Sequence, residues 1–138
     1  MDRPAELKSI LEQAIVRLFE RQPNIFNFTP TTGQTEWNLA HHLAVELCEF
    51  FPSLDHDLDV LKRDYDNRRP DIIFHTRGTH KANYLVVEIK RDGNPREIDS
   101  DVEKIMAYWF RAPLLYEFGA VVNLRTDGNH EVRVIENA

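Results

Sequence analysis

Two acidic residues and a lysine, Asp71, Glu88 and Lys90, form the part of this sequence that is best suited to chemistry. Sixteen residues separate Asp71 from Glu88, which begins the triplet Glu88-Ile89-Lys90. Carboxylates that converge bind hard divalent cations such as Mg²⁺ or Mn²⁺. A lysine beside them can hydrogen-bond a phosphate or an attacking water. The combination suits hydrolysis of a phosphodiester.

The triplet ends a strand that we expect to be central in a sheet. Along residues 83–91 both faces begin with apolar residues, as in a strand that is buried on two sides. One face then ends in two charges, Glu88 and Lys90, which lie about 7 Å apart in a strand. Burying these charges costs free energy unless they are paired or hold a metal. The alternative is a solvated strand end with a cross-strand ion pair.

A hairpin decides whether Asp71 reaches this site. Strands are predicted at about 56–65, 70–76 and 83–91, with a short loop at 77–82. If the turn is centred near residues 79 and 80, the numbers of cross-strand partners sum to about 159 or 160. At 159 Asp71 lies opposite Glu88 on the same face, where two repelling carboxylates favour a bound cation. At 160 Asp71 faces the other side and the site is lost.

The remaining elements predict an α/β fold with a mixed central sheet of about five strands flanked by helices. Apolar residues at helical spacing predict helices at about 4–22 and 35–51, and a third helix through 98–109. Two further strands are predicted at 117–125 and 131–136 around an Asp-Gly turn. We expect a single domain at 1–138, with an N-terminal helix in 1–23 and a core at about 35–136.

The run Arg-Pro-Asp71, the sixteen intervening residues and Glu88-Ile89-Lys90 resemble the PD-(D/E)XK nuclease superfamily, which has the restriction-endonuclease-like fold. The resemblance covers roughly residues 35–125 and implies an αβββαβ core, here with an extra N-terminal helix. It implies a Mg²⁺- or Mn²⁺-dependent nuclease that acts on DNA. Asp71 and Glu88 match the metal-binding acids, the backbone carbonyl of Ile89 is a further expected ligand, and Lys90 matches the catalytic lysine.

Glu36, in Thr-Glu-Trp-Asn-Leu, resembles the glutamate that many members of the superfamily carry on the first core helix. It is therefore expected to be a further catalytic residue and metal ligand, if the second predicted helix packs on the face of Glu88. A Glu-x-Lys pattern alone is weak. Glu6-Leu7-Lys8 fits it too, yet these residues lie on a predicted helix and have no paired aspartate.

Many members also carry Gln-hydrophobic-x-x-Tyr on the second core helix. The matching stretch is Lys104-Ile-Met-Ala-Tyr108, with lysine in place of glutamine. We expect Lys104 and Tyr108 to contact nucleic acid, together with Arg68, Arg69 and Arg91. For the two arginines before Asp71, plain exposure to solvent is the alternative.

The formal charge of −6 disfavours a protein that coats nucleic acid without specificity, but the charge is unevenly placed. Residues 62–96 contain nine basic and five acidic side chains, which indicates either a solvated surface or a local track for a polyanion. We expect no separate module that reads sequence. Specificity is therefore expected to come from substrate structure, a homodimer or a protein partner.

The sequence predicts a soluble protein of the cytoplasm that makes no membrane contact. Its single cysteine, Cys48, rules out an intrachain disulfide and a cysteine-rich zinc site. The charged first residues lack an apolar signal core, and no later stretch is long and apolar enough to span a bilayer.

Two other functions stay open. A catalytically inactive binding or assembly subunit with this fold is favoured by the acidic charge and by the lysine at position 104. The complete set of two acids and a lysine disfavours it. A protein-binding antagonist of a nuclease has only the acidic charge in its favour.

Overall fold

The structure is a computed structural model that describes residues 3–26, 33–58, 71–79 and 82–138, with only the backbone described at residues 33–36. The helices are α1 (Arg3–Arg21), α2 (Gly33–Leu47) and α3 (Pro95–Lys104), and the strands are β1 (Asp55–Leu58), β2 (Ile72–His75), β3 (Leu85–Arg91), β4 (Phe118–Leu124) and β5 (His130–Glu136). A 3₁₀ turn at Cys48–Phe50 follows α2, and a π-helical turn at Ile105–Trp109 follows α3. Every predicted helix and strand is present. The strand predicted at 56–65 is described only to Leu58, and its remainder lies outside the described residues.

The five strands form one mixed sheet in the order β1-β2-β3-β4-β5. The pair β3–β4 is parallel and the other three pairs are antiparallel. Parallel neighbours need a crossover connection, and α3 supplies it. The predicted α/β class, the mixed five-stranded sheet and the additional N-terminal helix are therefore confirmed. A restriction-endonuclease-like fold stays a prediction.

The helices divide between the two faces of the sheet. On one face α1 and α2 pack against the side chains of Ile72, Phe74, Leu85, Val87 and Ile89. On the other face α3 and the π-helical turn pack against Ile73, Val86 and Val121. Because side chains alternate along a strand, Glu88 and Lys90 share the face of Val86. The charged end of β3 therefore lies on the α3 face of the sheet.

All three helices are amphipathic. The buried residues of α1, for example, recur at helical spacing and are Leu7, Leu11, Ala14, Ile15 and Leu18. Charged side chains occupy the outer surface of the same helix, as at Lys8 and Glu20. Within the described part of the chain, no helix combines the length and the apolar character that a bilayer crossing requires.

The loop between β3 and α3 is held at both of its ends. The Asn94 side chain caps α3 by accepting a hydrogen bond from the Glu97 N–H, and the Glu97 carboxylate accepts one from the Asn94 N–H. The buried Asn123 side chain on β4 accepts from the Gly93 N–H at 2.8 Å and donates to the Gly93 carbonyl at 2.9 Å. These bonds fix where α3 begins relative to the end of β3.

We expect Asn123→Ala to lower the free energy of unfolding by about 2–4 kcal/mol, because it leaves a buried N–H and a buried carbonyl without partners. Urea unfolding at equilibrium measures this change. The matched control is Asn129→Ala, which removes an exposed amide from the β4–β5 turn and should cost less than about 1 kcal/mol. Equal effects of the two substitutions would contradict the anchoring role of Asn123.

Candidate functional site

The register of the hairpin between β2 and β3 brings Asp71 to the end of β3. Ile72 pairs with Val87 and Ile73 with Val86, so paired numbers sum to 159. Continued by one residue, this register places Asp71 opposite Glu88 on the α3 face. The predicted register with a sum of 159 is therefore confirmed, and the cation site that it permits stays a prediction.

Asp71 and Glu88 lie in direct contact in this arrangement. Both side chains are half-buried. Oδ2 of Asp71 accepts a hydrogen bond from the N–H of Ile89 at 2.6 Å, which fixes the aspartate against the backbone of β3. A hydrogen bond between the two carboxyl groups is one of the causes that raise the pKa of Glu88. The two carboxyl groups therefore share one small space.

The pKa of the Glu88 carboxyl is raised well above its ordinary value. Burial is the main cause, and the charges of Asp71 and Asp101 add to it. The positive charge of Lys104 acts in the opposite direction. A divalent cation would remove the reason for the raised pKa, because it would stabilise both carboxylates in their ionised forms.

The backbone carbonyl of Ile89 is the further ligand that the sequence predicts. In a strand the N–H and C=O of one residue point toward the same neighbouring strand. Since the Ile89 N–H bonds to Asp71, the Ile89 carbonyl lies on the Asp71 side of β3. Its position is the one that the prediction needs, and its role as a ligand stays a prediction.

Lys90 lies on the same face as Glu88, and its Nζ contacts a residue that sequence reasoning missed. Oδ2 of Asp101, on α3, lies 3.5 Å from Nζ of Lys90. The side chain of Asp101 is 4% exposed, and its Oδ1 lies 3.7 Å from Nζ of Lys104. The sequence did contain a signal for Asp101: it precedes Lys104 by three residues, and side chains three apart on a helix lie close enough to form an ion pair.

Lys104 and Tyr108 flank the junction between α3 and the π-helical turn. Lys104 is the last residue of α3 and its side chain is 53% exposed, which leaves its ammonium open to an anionic ligand. Tyr108 lies within the π-helical turn and is half-buried. The structure thus places Lys104 beside Glu88 and Asp101. Contact of Lys104 or Tyr108 with nucleic acid stays a prediction.

Of the three arginines predicted to contact nucleic acid, the structure describes only Arg91. Arg68 and Arg69 lie outside the described residues. Arg91 alternates to the opposite face of β3, where its guanidinium lies 5.1 Å from the centre of the Phe26 ring. A nucleic-acid contact by Arg91 would therefore occur on the other face from Glu88.

The expected role of Glu36 as a metal ligand depended on which face of the sheet α2 covers. The buried residues Leu39 and Leu43 of α2 belong to the cluster of Ile72 and Val87, so α2 packs on the face opposite Glu88. The condition set for Glu36, that α2 packs on the Glu88 face, is therefore not met, because the apolar stripe of α2 fits the more apolar face of the sheet. The side chain of Glu36 lies outside the described residues, and its role as a ligand stays a prediction.

A second polar network occupies the β1–β2 edge. Nε2 of the buried His75 lies 2.7 Å from Oδ2 of Asp57. The guanidinium of Arg77 donates to both carboxylate oxygens of Asp57, from Nε and Nη2, at 2.9 Å or slightly more. Nη2 of Arg77 also donates a hydrogen bond to the backbone carbonyl of His56 at 3.1 Å. His75 is therefore a buried histidine with a hydrogen-bond partner, and its contact with Asp57 links β2 to the edge strand β1.

The arrangement of Asp71 and Glu88 fits a hard divalent cation. Their carboxylate oxygens are the donors that Mg²⁺ and Mn²⁺ prefer, and their mutual repulsion is relieved by such a charge. In the described ranges no group of three or more His, Cys, Asp or Glu side chains is placed to hold a metal ion. A cation here would therefore be held by two carboxylates, with backbone oxygen, water or substrate completing its shell.

Comparisons with protein-family models, curated proteins and solved structures find no match to this chain. The resemblance to PD-(D/E)XK nucleases rests on Asp71, Glu88 and Lys90 and on the order of the elements that position them. Membership of that superfamily stays a prediction.

We expect Glu88→Gln to raise the melting temperature in EDTA at about pH 8 by about 2–4 °C. The folded state raises the Glu88 pKa above its unfolded value, so stability is lost as pH rises from the unfolded pKa through the folded one. Glutamine removes that loss because it stays neutral. At about pH 3 the difference should vanish, since Glu88 is then protonated in both states.

Thermal unfolding followed by circular dichroism measures both values. The matched control is Glu103→Gln on the exposed side of α3, for which the melting temperature should be unchanged at either pH. A wild-type protein as stable as Glu88→Gln at alkaline pH would show that Asp71 and burial do not strain Glu88.

Proposed function

We propose that this protein is a divalent-metal-dependent phosphodiester hydrolase, a nuclease of the PD-(D/E)XK type that acts on DNA. The observation that supports the proposal most is the contact between Asp71 and Glu88, which the β2–β3 register creates beside Lys90. Two carboxylates and a lysine on one face of a sheet are the groups that metal-assisted phosphodiester hydrolysis uses.

Asp71 and Glu88 would hold Mg²⁺ or Mn²⁺, with the Ile89 carbonyl as a further proposed ligand. Such a cation lowers the pKa of water and stabilises negative charge on phosphoryl oxygens. The Ile89 N–H holds the Asp71 carboxylate in one orientation, so the pair is preorganised.

Lys90 would donate hydrogen bonds to a non-bridging phosphate oxygen and to the water that attacks phosphorus. Its side chain is 25% exposed, so the ammonium can meet a substrate while its stem packs at the end of β3. Lys104 lies beside Asp101 and is half-exposed, which suits it to an adjacent phosphate. The side chains that touch the substrate therefore come from β3 and α3.

Specificity is proposed to come from DNA structure or from a partner. The net charge is −6 while residues 62–96 are locally basic, so attraction to a polyanion is confined to one region. A homodimer or a protein partner would supply the second half of a larger interface. One free cysteine, Cys48, fits the reducing cytoplasm in which we place the protein.

A catalytically inactive binding or assembly subunit is the second candidate. It is favoured by one observation: among the described residues, no three His, Cys, Asp or Glu side chains are placed to hold a metal ion. Such a protein would bind nucleic acid or a partner through the α3 face without turnover.

We expect the wild-type protein to cleave DNA with Mg²⁺ and to be inactive in EDTA. Lys90→Ala and Glu88→Gln should each lower kcat by at least about 100-fold, because each removes a group that stabilises the transition state or its cofactor. Gel assays on single-stranded, duplex, flapped and four-way-junction DNA, with RNA alongside, measure this loss and identify the substrate.

The matched control is Lys8→Ala, in the Glu6-Leu7-Lys8 triplet on α1, which should retain full activity. Cleavage that persists in EDTA or in Lys90→Ala would exclude the proposed site. Absence of cleavage together with an Mn²⁺-independent melting temperature would favour the inactive subunit.

A further inference from the structure

The strand β5 forms one end of the sheet, and among the described residues no strand lies on its outer side. The Arg125 N–H donates a hydrogen bond to the Asn129 carbonyl before β5 begins, and the Asn137 N–H donates to the Glu117 carbonyl after it ends. In the register of β4 and β5, these bonds mean that the odd-numbered residues of β5 bond to β4. The backbone groups of the even-numbered residues therefore point outward, and these residues are His130, Val132, Val134 and Glu136.

An edge strand of this kind is a template for another strand, because its extended backbone already presents N–H and C=O groups that need partners. β5 is seven residues long, which is enough for several new backbone hydrogen bonds. A cavity of about 290 Å³ opens along it, lined by Glu131, Val132 and Arg133 together with Ile98 of α3. The side chains of a second strand therefore have space beside β5.

Two exposed side chains of opposite charge, Glu131 and Arg133, lie on the α3 face of β5. Arg133 is directly opposite Val121 of β4, which belongs to the apolar cluster on that face. Each side chain has one partner within the chain and keeps atoms for another. In the described part of the chain, Arg125 bonds only Oε1 of Glu131, and Asp99 bonds only Nη1 of Arg133. One carboxylate oxygen and several guanidinium N–H groups remain for a partner.

We propose that β5 pairs antiparallel with β5 of a second copy of this chain, with Val132 at the centre of the pairing. Outward backbone groups then meet outward backbone groups, and each Glu131 lies opposite Arg133 of the other copy. These two are non-hydrogen-bonded pairs, in which side chains approach most closely. A shift of two residues in either direction instead sets Glu131 against Glu131 or Arg133 against Arg133. Charge therefore selects one register.

The pairing joins the two sheets into one, with a two-fold axis perpendicular to it, so the α3 faces of both copies point the same way. Glu88 lies in the row of Val121 and Arg133. Five strand spacings and an offset of two residues then separate the two Glu88 residues, which places them about 25 Å apart. Two sites on one side of a dimer suit a ligand with two strands, such as duplex or branched DNA. This consequence rests on the proposed function, whereas the pairing itself does not.

Exchange of the charges at positions 131 and 133 tests the pairing. We expect the wild-type protein to dimerise between about 1 μM and about 1 mM in analytical ultracentrifugation. Glu131→Arg should weaken dimerisation by at least about tenfold, because it sets like charges against each other at both symmetric positions. The double variant Glu131→Arg with Arg133→Glu should dimerise within about threefold of wild type, because opposite charges meet again. This exchange does not restore a register shifted by two residues.

The matched controls are Arg125→Gln and Asp99→Asn, which remove the partners of the same two side chains within one chain. Both should dimerise like wild type. A loss in either control as large as that of Glu131→Arg would overturn the pairing, because it would assign the effect to the contacts within the chain. A wild-type protein that stays monomeric, or a double variant as weak as Glu131→Arg, would also overturn it.

Amide hydrogen exchange followed by nuclear magnetic resonance needs no variant to fold. At concentrations above the dimerisation midpoint, the N–H groups of Val132 and Val134 should exchange at least about tenfold more slowly than below it. Both groups point outward in one copy and would be hydrogen-bonded in the pair. Dimerisation without slower exchange at these two residues would overturn the pairing.

Both measurements are made in EDTA without DNA, so the pairing and the proposed function can fail separately. A dimer with the expected response to charge exchange, but with no cleavage of DNA in Mg²⁺, would overturn the proposed nuclease and leave the pairing. Cleavage of DNA by a protein that stays monomeric would overturn the pairing and leave the proposed function.

Discussion

The mutual repulsion of Asp71 and Glu88 is the constraint on which the rest of this molecule depends. Two carboxyl groups in contact and largely removed from water cannot both ionise without a countercharge, and this raises the pKa of Glu88. Their meeting follows from the β2–β3 register, in which a slip of one residue would turn Asp71 to the opposite face. A strained pair that the sheet holds rigidly is suited to binding a cation.

The second requirement is that charged side chains reach the end of β3 from a separate element. The crossover from β3 to β4 brings α3 over the polar face, and the Asn123 amide fixes its starting point. Asp101 and Lys104 lie on one side of that helix, where Asp101 contacts both Lys104 and Lys90. Close packing at the end of the helix completes the arrangement, since Gly119 is the residue that lets Ile105 approach β4.

The two faces of the sheet differ in how much apolar surface they bury. The face under α1 and α2 is lined by apolar side chains and supplies most of the buried core. The face under α3 has a smaller apolar cluster, and it has room for charged groups at the carboxyl end of β3. Concentrating hydrophobic burial on one face allows the other to hold charges whose burial is unfavourable.

The sequence by itself determined the strand alternation around Glu88, the helical stripes and the two hairpin registers open to Asp71, because these follow from local periodicity and turn length. Only the tertiary structure decided between the registers, placed α2 on the face opposite Glu88 and brought Asp101 to Lys90. Such choices depend on how distant elements pack, and periodicity within one element carries no information about which partner covers it. Asp101 illustrates the difference, since its sequence neighbours suggest an exposed helical acid and its burial follows from the sheet beneath it.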